Sequence, residues 1–439
     1  MAGAQETAQM APLDREHTPA AGGGQPAAGH EPSEDGSVFG NRDFRSMFIA
    51  AAASRFGTQI SYLAVPLLAI QALHAGAGAV GLLTTLATLP YLLIGLPAGA
   101  WVDRMRRRPV QITADLLRMA LFGTLPLAAA LHVLTLWQLY TVVLFSGCAT
   151  VFFEVASQSY LPFVVGRPGL VAANARLASL TAVSQVAGRG VGGFLIQAIT
   201  APFAIAIYAG CYLWSALWLL RIRSAEPQSG PRREARLWRE IGEGLRFVLG
   251  HPLLRPIALS ATLTNLSVQI SVVMLPVVFV RQLGLSDGVL GLYLTSGGAG
   301  VFLGTSCARA IGRRLGNGRA MWIIGVASTP LVFALPFIGR GALLWLAALA
   351  WLATTFQVGV NNVLQVSFRQ RATPDELLGR MNATMRFLLT GALAVGSGIA
   401  GLIAQYLGLR TVLWVGAVGL ALAWVPCFLS PLRGMRDLP

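Results

Sequence analysis

The chain has 439 residues, of which 55% are hydrophobic and only 12% charged, with a mean hydropathy of +0.63. Soluble domains carry about 25% charged residues, so an ordinary soluble globular protein is excluded. The formal net charge of +15 rests on arginine alone, lysine being absent, and the arginines fall in short loops between long apolar runs. That placement points to membrane topology and away from a nucleic-acid partner.

Residues 1–44 hold seven acidic residues against Arg15 and Arg42, a local charge of −5 that leaves +20 on the rest. Acidic and rich in Ala, Gly and Pro, residues 1–40 read as a disordered tail and are unlike a signal peptide. A helix needs about 20 apolar residues to cross the hydrocarbon core. Such runs lie near 46–72, 77–101, 109–133, 136–160, 171–199 and 201–221, then near 254–280, 289–311, 319–339, 342–366, 380–406 and 410–431. The expected fold is all-α, with twelve transmembrane helices in two six-helix bundles over 41–222 and 253–439, joined by a cytoplasmic linker at 223–252. Within the linker, Leu237, Ile241, Leu245 and Val248 recur at helical spacing, which predicts an amphipathic helix over Glu234 to Val248 on the inner membrane surface. A flexible linker is the alternative.

Twenty-three arginines fall on one side of this scheme and three, Arg281, Arg340 and Arg410, on the other. The positive-inside bias then makes both termini cytoplasmic in a multi-pass protein of the cell membrane. Cys148, Cys211, Cys307 and Cys427 lie inside apolar runs with no metal-like or disulfide spacing. The five histidines lie in the tail or near loops, so neither a metal nor a cofactor is expected. No Gly-x-x-x-x-Gly-Lys phosphate loop exists.

The fifth run repeats in the eleventh. A shift of 208 carries Asn174 onto Asn382, Ala175 onto Ala383, Gly188 onto Gly396, Gly190 onto Gly398, Gly193 onto Gly401 and Gln197 onto Gln405. Random apolar helices share leucines, not the same Asn, Gly and Gln positions. The halves are therefore duplicated about an axis along the membrane normal. Small residues let helices approach closely, and packing is the role expected of these six glycines.

The turn after the second run reads Gly99-Ala-Trp-Val-Asp103-Arg104-Met-Arg106-Arg107-Arg108-Pro109. This resembles the cytoplasmic signature of the major facilitator superfamily, in the form found in its permease branch with macrolide and siderophore exporters. The resemblance extends to Ala173-Asn174-Ala175 and to the stretch from Pro374 to Asn382, and covers essentially 41–435. It implies twelve helices, alternating access, and a latch at Gly99, Asp103, Arg104, Arg107 and Arg108 that joins the halves when the cavity faces outward. A basic loop serving topology alone is the alternative. A shift of 210, anchored on Gly81 and Gly291, sets Arg313 and Arg314 opposite Asp103 and Arg104, so the second half has lost the acid.

The intramembrane carboxylates are Asp115 and Glu154. A partly desolvated carboxylate can exchange protons near neutral pH, which makes these two the proton-coupling candidates, Glu154 first. A shift of 208 carries Glu154 onto Asn362, and the resemblance places both of their helices at the cavity. At 1.5 Å per residue, Glu154 lies roughly 10 Å from the inner end of its run and Arg55 roughly 14 Å into the first, so an ion pair of Glu154 with Arg55 or Arg118 is the competing reading. Asp115 and Arg118 share a helix face at i, i+3, which favours a structural pair.

Arg189 stands where antiporter-type members of the superfamily show proline, and a cation inside a span is costly and usually functional. It would meet a carboxylate, attract an anionic substrate group or snorkel outward. Arg55, Gln59, Tyr62, Arg189, Gln357, Asn361, Asn362 and Arg386 form the expected substrate cavity, with Gln365 and Asn265 nearby. Helix-packing hydrogen bonds are the alternative for the amides. The expected protein is not an enzyme but a secondary transporter exporting a small amphipathic molecule. Its expected partners are that substrate, protons and the lipid bilayer, with the chain acting as a monomer. A facilitator or importer, and a non-transporting sensor, remain as alternatives.

Overall fold

The computed structural model describes residues 38–102, 104–223 and 237–435. Most of the predicted tail, Asp103, the first part of the linker (224–236) and residues 436–439 lie outside the described residues. The first helix, α1 (Arg42–Gln71), starts at Asn41, whose side-chain oxygen accepts the backbone N–H groups of Asp43 (2.9 Å) and Phe44 (3.2 Å). A second crossing is built from α2 (Ala77–Leu93) and α3 (Gly95–Val102), parted at Ile94 shortly after Pro90. There follow α4 (Arg107–Ala130), α5 (Leu136–Ile199), α6 (Ala201–Leu219) and the linker helix α7 (Leu237–Gly250). The second half holds α8 (Leu254–Val273), the short α9 (Leu275–Val277), α10 (Asp287–Leu315), α11 (Asn317–Val332), α12 (Ala342–Ala372), α13 (Asp375–Leu407), α14 (Leu409–Leu422) and α15 (Val425–Phe428).

Two runs expected to be separated by a loop at 161–170 are helical throughout. The chain turns within α5 at a single residue, Gly166, with φ +67°, a conformation glycine adopts freely; Pro168 then opens the next helix. Nine helices among the described residues are long and apolar enough to cross a membrane. Of the twelve expected runs, α1, the 17-residue α2 and the second part of α5 fall short. For α1 and α5 the reason is polar content, Arg55 and Gln59 in one and Asn174, Arg176 and Arg189 in the other.

The cores define the shape. One hydrophobic cluster takes Ile60 to Ile70, Ile196 and Tyr208 from the first half and Ile270 to Phe279, Leu290 and Leu413 from the second. These residues lie toward the arginine-poor end of the helices. At the arginine-rich end each half keeps its own core, Phe44, Met47, Tyr160 and Leu219 in the first, Val248, Leu254, Phe368 and Met385 in the second. The halves are fused at one end and parted at the other. The helix α7 belongs to the second half: Val248 is buried in its core and Glu243 pairs with Arg380 of α13 at 2.8 Å.

The fused end is held by repeat-related contacts. Gly193 of α5 packs on Gly291 of α10, and Gly401 of α13 packs on Gly81 of α2. Beside them Gln197 accepts the Gly288 N–H at 3.2 Å, and the Gln405 amide lies against Gly78. Gly190 faces Thr295 and Gly398 faces Thr85, again equivalent positions. Gln71 adds a bond from its amide to the Asp287 carboxylate (3.0 Å). Gly188 and Gly396 pack within their own halves, on Gln59 and on Leu266 and Gln269.

Candidate substrate passage

On α1, Arg55, Gln59 and Tyr62 share one face by their i, i+4, i+7 spacing. Arg189 of α5 meets that face. Its Nε donates to Gln59 Oε1 at 3.1 Å, and its guanidinium lies 4.9 Å from the Tyr62 ring centroid. Arg55 is exposed, and Glu154 is close enough for its charge to act on it. Four residues expected from separate arguments are thus brought together.

Glu154 takes neither of the ion-pair partners expected for it. Its Oε1 accepts the Tyr91 hydroxyl of α2 at 3.1 Å and its Oε2 lies 3.6 Å from Arg386 of α13. Both charged side chains are about 40% exposed, so they face the parted region. Arg118 instead pairs with Asp115, whose other oxygen accepts the Ser215 hydroxyl of α6 at 2.6 Å. The guanidinium of Arg118 is clamped between the rings of Phe153 and Tyr212, 4.4 and 4.1 Å away. Asp115 is completely buried in this cluster, which separates it from the passage that Glu154 faces.

Between these charged groups lies a cavity of about 280 Å³. Tyr62, Tyr91, Tyr208 and Tyr212 line it with the hydroxyls of Ser61, Thr84 and Thr88, and Pro276 of the second half closes it. The cavity touches Arg189 through Tyr62 and Glu154 through Tyr91. Sequence reasoning missed Tyr91, Tyr208 and Tyr212, because an aromatic residue in an apolar span reads as core. The signal was there in Thr84, Thr88 and Tyr91, one polar face of α2.

The amides of α12 do not form one lining surface. Gln357 is buried and accepts the Ser328 hydroxyl of α11, the helix-packing bond that was the alternative for these amides. Asn361 and Gln365 are buried as well, and only Asn362 of this group is exposed. Asn265 donates to the Ala261 carbonyl of its own helix (2.9 Å). At the arginine-rich end Arg108 donates to the carbonyls of Leu219 (3.0 Å) and Leu220 (2.7 Å), anchoring the end of α6. Arg104 is exposed, Arg107 lies over the Phe163 ring at 5.0 Å and Gly99 has open space where a side chain would stand. The acid of the expected latch, Asp103, lies outside the described residues.

The repeat separates packing from charge. A shift of 210 carries Gln59 onto Gln269, and a shift of 208 carries Arg189 onto Ser397. Gln269 donates to the Ser397 hydroxyl at 2.9 Å, the same contact made without a cation. Arg55 likewise falls on Asn265, and Glu154 on Asn362. The ionised groups that the first half sets at the passage, Arg55, Glu154 and Arg189, have neutral polar counterparts in the second half.

Fused at one end and parted at the other, with the Asp115–Arg118 pair buried inside the spans, the fold is that of a membrane transporter of the major facilitator superfamily. Solved structures share it: the nucleoside transporter NupG (TM-score 0.72, 11% identity, 88% of this chain and 99% of that one) and a bacterial homologue of the iron transporter ferroportin (0.68, 18%, 88% and 98%). The chain belongs to the transmembrane secretion effector family, which it matches over residues 37–438. It is 30% identical over 403 residues to the multidrug efflux pump Tap of Mycolicibacterium fortuitum, covering 88% of this chain and 95% of that protein. It is 26% identical over 361 residues to the enterobactin exporter EntS of Salmonella typhi, covering 82% and 84%. It is a multi-pass membrane protein that handles a small molecule, as its family does.

Proposed function

We propose that the chain exports a small amphipathic organic molecule across the cell membrane by proton-coupled alternating access, as a monomer. In this reading all twelve apolar runs cross the bilayer, and the arginine-rich end, with both termini, is cytoplasmic. The parted end then makes this an inward-open state. The observation that carries the reading is Glu154: one carboxylate touches the cavity wall through Tyr91 and the opposite half through Arg386. A proton arriving at Glu154 weakens its hold on Arg386, and a substrate that engages Tyr91 disturbs the same carboxylate. Gly99, Asp103, Arg104, Arg107 and Arg108 serve as the latch of the opposite state, and α7 lies along the inner membrane surface.

The names of the relatives, a multidrug pump and an enterobactin exporter, support export of organic molecules. Everted vesicles with an acidified lumen test the reading with a panel of fluorescent amphiphiles of different charge. Dye should accumulate while the proton gradient stands and leak when an ionophore collapses it. In Glu154→Gln vesicles the dependence on the gradient should vanish. Accumulation in right-side-out vesicles under the same inward proton gradient would make the protein an importer.

A further inference from the structure

We infer that the exported molecule carries an anionic group, a carboxylate or phenolate, and that Arg189 receives it with Arg55 on the same face of the passage; this rests on the export reading above. The charge balance comes first. At the passage stand Arg55, Arg189 and Arg386 with Glu154, and in the buried cluster behind it Arg118 with Asp115. Arg118 is matched by Asp115, and Arg386 by Glu154. Arg55 and Arg189 have no carboxylate within ion-pair distance among the described residues. Arg189 has an amide and a ring for partners but no counter-charge in contact, and Arg55 feels Glu154 only from beyond ion-pair distance; a cation so placed inside a membrane span is costly and usually functional.

Packing does not explain the cost. The contact of Arg189 with Gln59 is reproduced in the second half by Ser397 and Gln269, both neutral and both buried, so the fold meets this need without a cation. The counterpart of Arg55 is Asn265, also neutral. The excess charge therefore belongs to one half and to one face. That face borders the cavity, since Tyr62 both lines it and carries the Arg189 guanidinium on its ring. The tyrosine rings suit a flat apolar body, and a guanidinium offers a planar pair of donors to an anionic oxygen pair. An organic cation would meet the opposite: two repelling guanidiniums, with the accessible carboxylate already held by Arg386.

Two dyes with the same three-ring xanthene body test this, fluorescein as the anion and rhodamine 123 as the cation. Binding to the purified full-length chain is read by fluorescence anisotropy, and transport by everted vesicles. Fluorescein should bind more tightly than rhodamine 123. Arg189→Ser, which writes the second half's own pair into the first, should weaken fluorescein binding by roughly tenfold or more, the scale of a lost charge-assisted bond, and change rhodamine binding little. Arg189→Lys should restore part of the loss, and Arg55→Asn should weaken fluorescein binding less than Arg189→Ser. Preference for rhodamine 123, failure to bind either dye near millimolar concentration, or equal fluorescein binding by wild type and folded Arg189→Ser overturns the inference. Binding needs no gradient, so Arg189-dependent fluorescein binding without vesicle transport counts against the export reading and leaves the anion site standing.

Discussion

Glu154 of α5 and Arg386 of α13 lie 3.6 Å apart and join the two halves on the side where their cores have separated. Each side chain is about 40% exposed, so water screens the pair and its contribution to stability is at most about 1 kcal/mol. The pair's importance then lies in transport. Arg386→Gln should leave the melting temperature in detergent within a degree or two of wild type, while slowing dye efflux several-fold. A large fall in melting temperature would instead make the pair a structural brace.

The buried pair behaves in the opposite way. Arg118 and Asp115 are 1% and 0% exposed, and the guanidinium is held between two aromatic rings. Arg118→Leu leaves a buried carboxylate with Ser215 as its one remaining hydrogen-bond partner among the described residues, a loss on the order of 3–5 kcal/mol. Pairing it with Asp115→Leu removes the stranded charge and should recover most of that loss. Thermal unfolding of the single and double variants measures both effects; a double variant no better than the single would mean that packing around the rings, and not charge, sets the cost.

The contrast between these two pairs marks what a sequence makes legible. Asp115 and Arg118 are three residues apart on one helix, so their meeting follows from helical geometry alone. Glu154 and Arg386 sit on different halves, and their meeting depends on the angle between two bundles, which no local spacing encodes. The crossing runs were readable because about 20 consecutive apolar residues have few other uses. The break in α5 falls within the expected gap at 161–170 but is far shorter, because residues 161–165, Leu-Pro-Phe-Val-Val, are as apolar as the helices around them and the turn needs just one residue, Gly166. The repeat was readable in the glycines, and its meaning appeared only when Gly193 met Gly291 and Gly401 met Gly81.

Those glycine contacts give a third prediction. A Cβ at Gly193 would stand 2.7 Å from the Asp287 carbonyl oxygen and 2.8 Å from the Gly291 Cα. These are backbone atoms, so α5 and α10 have to separate, and overpacking of this kind costs about 1–3 kcal/mol. Gly193→Ala should weaken the closure of the arginine-poor end, and Gly401→Ala, against the Gly81 Cα at 2.9 Å, should do the same. A cysteine placed at Gln71, which bonds Asp287 across the halves, should label faster with a water-soluble maleimide in either variant. Unchanged labelling would show that this end is not held by the glycine contacts.

The last prediction concerns the turn between α5 and α6. Thr200 adopts φ 69° and ψ 159°, a conformation open essentially to glycine alone, and a β-branched residue there stores about 1–3 kcal/mol of strain. Its repeat counterpart between α13 and α14 is Gly408, at φ 89° and ψ 162°, so the same turn is made twice, once with the residue that suits it. The Thr200 side chain is exposed and makes no capping bond to α6, so little is lost with it. Thr200→Gly gives back roughly 0.4–1 kcal/mol through the freer unfolded chain, which leaves a net stabilisation of about 1 kcal/mol. The melting temperature should therefore rise by about a degree in Thr200→Gly and fall in Gly408→Thr. A fall in both would mean that Thr200 is anchored by contacts outside its own backbone, and that the two turns, equal in shape, are held by different forces.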